Sequence, residues 1–181
     1  MKNPGKKSLA HLTQTIYLCQ LKIGIIMIQR IQSIYLFLAI VAASLMFIFP
    51  LAVFYGDSNF ILYAYQISFK DPDPSLQFNP YFLLPLMGLL IFIILLSTIT
   101  LLSFKNRKRQ LILTKIAMGL TLVLLAVFFF GYMGLLEQSA GTPPTYEFAS
   151  FMPALVFLFL FLANRGILKD EKLIKSMDRL R

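Results

Sequence analysis

Apolar positions in this chain fall into long unbroken runs, not into the alternation of a half-buried strand or the narrow stripe of a surface helix. Four runs approach or exceed the ~20 residues a helix needs to cross a ~30 Å hydrocarbon layer. Residues 31–54 carry no charge. Residues 81–104 hold sixteen Leu, Ile or Phe in twenty-four positions, each favouring insertion by about 0.3–0.6 kcal/mol. Residues 116–136 are uncharged once Lys115 is set at the boundary, its alkyl stem along lipid and its ammonium in water. The fourth run, 148–164, has seventeen uncharged residues between Glu147 and Arg165. At about 1.5 Å per residue it is slightly short, so Arg165 is expected to snorkel. The pattern predicts an all-α integral membrane protein, with four transmembrane helices in a bundle.

Between the runs the pattern changes. Residues 59–69, NFILYAYQISF, are rich in strand formers and close on the turn-like DPDP of residues 71–74. They are expected to form a short strand outside the bundle, with residues 145–148 as partner, in a cap of two or three strands. An interfacial helix fits the same residues nearly as well. In the C-terminal tail, 166–181, Ile167, Leu168, Leu173, Ile174, Met177 and Leu180 recur three or four apart among charged residues, the pattern of an amphipathic helix. That helix either prolongs the fourth span, the favoured reading, or lies on a membrane surface.

Composition narrows the class. Of 181 residues 58% are hydrophobic and 14% charged, against about 45–50% and about 25% in an ordinary soluble domain. A net charge of +9 would suit a nucleic-acid binder if the cations shared one soluble face, but they do not. They lie at Lys2, Lys6, Lys7, Lys22 and Arg30, at Lys105, Arg107, Lys108, Arg109 and Lys115, and at Arg165, Lys169, Lys172, Lys175, Arg179 and Arg181, with Lys70 alone elsewhere. These groups flank the same ends of the four spans. The positive-inside rule then puts both termini in the cytoplasm, with Arg30, Lys105, Arg107, Lys108, Arg109, Lys115 and Arg165 as topology anchors. Most tyrosines, among them Tyr55, Tyr63, Tyr65, Tyr81, Tyr132 and Tyr146, fall at or beyond the opposite ends, where amphipathic rings favour the interface. Pro50, Pro80, Pro85 and Pro153 cluster there too, read as helix starts and gentle kinks.

Candidate chemistry is sparse. One histidine, His11, and one cysteine, Cys19, both precede the first span, so neither a nucleophile pair nor a metal cluster can be assembled. Asp71 and Asp73 could pair for acid–base work or hold a calcium ion, but two acids in DPDP are first of all a turn. No Asp, Glu, His, Lys or Arg falls inside the four runs as bounded, which disfavours proton- or ion-coupled transport. Ser44, Ser97, Thr98, Thr100, Ser103, Thr114 and Thr121 are expected to bond to their own helix backbone or to a neighbouring helix. No cofactor is expected, and neither a catalytic nor a metal site.

The stretch MIQRIQSIYLFLA at 27–39, four spans with basic inner ends, and RGILKDEKLIKSMDRLR at 165–181 together resemble the domain-of-unknown-function family 4293 of small four-helix membrane proteins of Bacteroidetes. The likeness covers residues 27–181. It implies the bacterial inner membrane and carries no activity, cofactor or site residue with it. It also implies that the family begins at Met27, so that residues 1–26 are an extension, read as an upstream start miscall. The expected function is that of a non-enzymatic accessory or scaffold component of the inner membrane. Its expected partners are membrane lipids and another membrane protein or a second copy, with no nucleic acid. The alternative is a small transporter or lipid-handling protein.

Overall fold

The computed structural model describes residues 31–56, 59–70, 78–79, 81–104 and 106–178. Four long helical segments alternate in direction: α1 (Ile31–Ile48), α2 (Leu84–Leu102), a 34-residue segment Arg107–Ala140, and a last segment that continues to Asp178. Each is long and apolar enough to cross a membrane. The third consists of α3 (Arg107–Ala126), a π-helical turn (Val127–Met133) and α4 (Gly134–Ala140). The fourth opens on a 3-10 turn (Phe148–Phe151) and becomes α5 (Met152–Asp178). α3 packs against both α2 and α5.

The buried positions repeat alternately at three and four residues. On α1 they are Gln32, Leu36, Ala39, Ala43 and Met46, with Ala42 buried beside Ala43. On α3 they are Gln110, Thr114, Ala117, Thr121 and Leu124, continued by Phe128 in the π-helical turn, and on α5, after a buried Met152, they are Val156, Leu160, Ala163, Ile167 and Asp170. That 3.5-residue period keeps one seam of each helix toward its neighbours, the geometry of knobs-into-holes bundles. The π-helical turn shifts the phase by one residue. Tyr132 and Met133 at its end and Leu136 and Ala140 beyond it face inward, while Phe130 is 88% exposed. The other faces are inverted relative to a soluble bundle: between 28 and 33% of each hydrophobic window is buried. Large apolar side chains such as Phe37, Phe92, Ile99, Ile116, Leu122 and Phe161 point outward.

A four-stranded antiparallel sheet caps one end of the bundle: β1 (Ala52–Phe54), β2 (Phe60–Leu62), β3 (Ile67–Phe69) and β4 (Thr145–Tyr146), in the order β3-β2-β1-β4. Ala52, Phe54, Phe60 and Leu62 are fully buried against the helices. Phe54 and Phe60 stack at 4.7 Å, and Phe60 meets both Phe69 and Phe78 at 5.8 Å. The backbone carbonyl of Leu51 accepts from Glu147 N–H at 3.0 Å and from the buried Ser150 hydroxyl, which ties β1 to the start of the last helical segment.

Five features differ from the sequence reading. The first apolar run is not one helix to residue 54. α1 stops before Pro50, whose ring cannot extend it, and the last three residues of the run become β1. Residues 59–69 are not one strand but a hairpin, β2 and β3, closed by Tyr63 N–H donating to Gln66 C=O at 2.9 Å. Thr145–Tyr146 pairs with β1, through Ala52↔Tyr146 and Val53↔Thr145, and not with residues 59–69. The third helical segment starts at Arg107 and the fourth runs past Arg165, because in both cases charged residues continue the helix beyond its uncharged stretch. Residues 166–178 therefore prolong the fourth span in one helix, the favoured reading of the tail.

Candidate functional site

The end opposite the sheet carries the cations and a polar interior. Gln32, at 5% exposure on α1, donates through Nε2 to Oδ2 of Asp170, at 3% exposure on α5. Four residues before Asp170, Gly166 lets the two helices approach this closely: a Cβ there would meet Cγ of Gln32 at 2.8 Å. Arg107, at the first turn of α3, is half-buried beside this pair and attracts the carboxylate. Its Nη1 and the Oδ1 of Asn164 are buried with no hydrogen-bond partner among the described residues.

Above the pair the seam stays polar for some distance. Gln110 and Thr114 on α3 and Ser97 and Thr100 on α2 are buried. Thr100 donates to Leu96 C=O at 2.7 Å, Thr114 to Gln110 C=O at 2.7 Å and Thr121 to Ala117 C=O at 2.8 Å. Each hydroxyl thus satisfies its proton on its own helix and keeps acceptor lone pairs. Ser44, Thr98 and Ser103 bond likewise, to the carbonyls of Ile40, Ile94 and Ile99.

The anchors expected from the sequence divide. Lys108, Arg109, Lys115 and Arg165 are exposed, Arg165 lying 5.7 Å over the Phe161 ring, whereas Arg107 is half-buried beside Asp170. Arg30 and Lys105 lie outside the described residues, as do His11, Cys19, Asp71 and Asp73. Closing the fourth run at Arg165 hides Gln32 and Asp170 as a pair. The signal was the helical phase: Val156, Leu160, Ala163 and Ile167 lead to position 170, and Leu36 leads back to position 32.

The sheet end is built from rings. Phe78 stacks on Phe82 at 5.7 Å, and Phe82 meets Tyr132 edge-on at 5.0 Å. The inward turn of Tyr132 allows its hydroxyl to donate to Phe82 C=O at 2.8 Å. Beside these rings, between β3 and the approach to α2, lies a cavity of about 300 Å³ with Gln66, Ile67, Phe69, Phe78, Asn79, Phe82 and Leu83 in its wall. Among the described residues no charged side chain lines it.

One end thus offers a closed polar contact between the first and last helices, and the other a half-open aromatic recess with an uncharged wall among the described residues. No curated protein matches the chain. The family model described as Domain of unknown function (DUF4293) matches residues 28–180, and the chain belongs to that family.

Proposed function

We propose that the protein is a non-enzymatic accessory or scaffold component of a Bacteroidetes inner membrane, with both termini in the cytoplasm, acting through helix and loop contacts with another membrane protein or a second copy of itself. The observation that carries this reading is the inverted exposure of the four helices, large apolar side chains outward and a mixed polar seam inward, which suits lipid as the surrounding solvent. The orientation is supported by the cations at the end away from the sheet, Arg107, Lys108, Arg109, Lys169 and Lys172 among them. The buried Gln32–Asp170 contact at that end joins α1 to α5, and so supports a mechanical role for the site over a reactive one.

Alkaline phosphatase fused after residue 142 is expected to be active and fused after residue 181 inactive; the reverse pattern would sink the orientation. Crosslinking in membranes, followed by mass measurement from mild detergent, is expected to find a stable assembly. A strictly monomeric, partner-free protein would sink the accessory role.

A small transporter or lipid-handling protein is the second reading, supported by the buried polar seam from Asp170 to Thr121. It requires that seam to be reached by water. Single cysteines at Ser97, Thr100 or Thr121 that react with a membrane-impermeant thiol reagent would favour it over the first reading.

A further inference from the structure

We propose that the edge of β3 left unpaired among the described residues and the aromatic cavity beside it form one binding site, which takes an extended segment of another polypeptide as a fifth strand. This rests on the accessory reading and names the kind of partner.

The hydrogen-bond register identifies the free groups. Tyr63 N–H donates to Gln66 C=O, and Lys70 N–H to Asn59 C=O at 2.8 Å. In an antiparallel ladder bonded and non-bonded pairs alternate, so between those two pairs it is Ser68, opposite Ile61, that bonds to β2. Ile67 and Phe69, opposite Leu62 and Phe60, turn their N–H and C=O groups the other way. β3 ends the sheet order, and among the described residues no backbone bond reaches those four groups. They point outward at two-residue spacing, the repeat a neighbouring strand presents.

The two edges of the sheet are unequal. β4 is two residues long, follows Pro143 and Pro144 and precedes Glu147, all devices that blunt an edge. β3 is one residue longer and reads Ile-Ser-Phe, with no proline directly before or after it and a single flanking charge, Lys70. Its side of the sheet is also where the cavity lies, walled by Gln66, Ile67, Phe69, Phe78, Phe82 and Leu83. An added strand would satisfy the four backbone groups and place one alternate side chain in the cavity, whose rings and uncharged described wall suit an aromatic or branched aliphatic residue. An acyl chain could fill the cavity but has nothing to offer the backbone groups. A second copy's β3 would bring Ile67 and Phe69, which already pack on their own core, and leave the cavity unfilled.

The test places a photoreactive benzoylphenylalanine at Gln66, which is exposed at the rim, and a parallel one at Phe130 on the outer helix face, in the full-length protein in its native membranes. The expected result is an adduct from position 66 with one other polypeptide, the crosslinked peptide mapping to an extended segment. Ile67→Pro removes an outward N–H without touching the β2–β3 ladder and is expected to lower the yield about tenfold, as loss of edge bonds implies. Hydrogen exchange at the Ser68 amide is expected to stay slow. If that exchange rises, Phe82→Trp, which fills the cavity from the helix side, must lower the yield instead. A lipid adduct, an adduct with a second copy, no adduct from position 66, or a yield indifferent to both substitutions overturns the inference. A polypeptide adduct from position 130 alone would overturn it and leave the accessory reading standing; no polypeptide adduct from either position brings down both.

Discussion

The two ends of the bundle hold together by different physics. At the sheet end Phe54, Phe60, Leu62, Leu136 and Phe128 are fully buried and almost all contact is between rings and aliphatic chains. At the basic end the same seam carries Gln32, Thr100, Gln110, Thr114 and Asp170, and the joining contact is a hydrogen bond between an amide and a carboxylate. An apolar contact tolerates approximate geometry and loses energy in proportion to the volume removed. A buried polar contact is worth little net but is costly to leave half made. The sheet end should therefore answer to size, and the basic end to partnership.

The largest effect is expected from Phe60→Ala, which removes a ring stacked on Phe54 and touching Phe69 and Phe78. A cost of about 3–5 kcal/mol follows from the cavity it leaves, read as a lowered midpoint of thermal unfolding in mild detergent. A loss no larger than that of a surface substitution would show that the sheet is an appendage and not part of the core.

At the basic end Asp170→Leu alone is expected to cost about 1–3 kcal/mol, because it strands the Gln32 amide and leaves Arg107 without its facing carboxylate. Adding Gln32→Leu should return part of that loss, since removing both partners leaves one fewer buried polar group unsatisfied. A double variant no better than the single would mean that Arg107, not Gln32, is the partner that matters. Gly166→Leu sharpens the same point by size. It should cost about 1–3 kcal/mol through overpacking against Gln32, and Gln32→Ala should recover much of it. Both are measured by the same thermal midpoint.

These contrasts also explain what could be read from the chain beforehand. The four apolar segments were legible because continuous apolar length is read without knowing any partner. β1 was not, because Ala52, Val53 and Phe54 continue an apolar run and only the preceding Pro50 marks the break. The hairpin was half legible: strand-forming residues marked 59–69, but the reversal at Ala64 and Tyr65 has no Gly, Asn or Pro to announce it. The Gln32–Asp170 contact was hidden by a rule that stops a span at its first charge, although helical phase passes through Arg165 unchanged and brings position 170 to the buried side. The aromatic recess lay out of reach altogether, since Phe69, Phe78 and Phe82 come together only through sheet order and the approach to α2.

A smaller effect probes the join between the two regimes. Tyr132→Phe removes the hydroxyl that donates to Phe82 C=O while keeping the edge-on ring contact. It should cost about 0.5–1.5 kcal/mol, against several for Tyr132→Ala. If the two variants were equally unstable, the π-helical turn would be serving the hydrogen bond and not the ring.

The smallest effect is expected from Thr114→Val, and its smallness is informative. Thr114 is fully buried on the polar half of the seam, yet its proton goes to Gln110 C=O on its own helix, 2.7 Å away. Valine has nearly the same shape, and the Gln110 carbonyl keeps its backbone role, so the cost should stay near the ~0.6 kcal/mol average for side-chain hydrogen bonds in membrane helices. If the loss instead approached that of Asp170→Leu, the threonine's lone pairs would be receiving a proton from across the seam. The polar half would then be one connected network running from Asp170 upward, not a single clamp with self-satisfied hydroxyls above it, and the transporter reading would gain what the accessory reading lost.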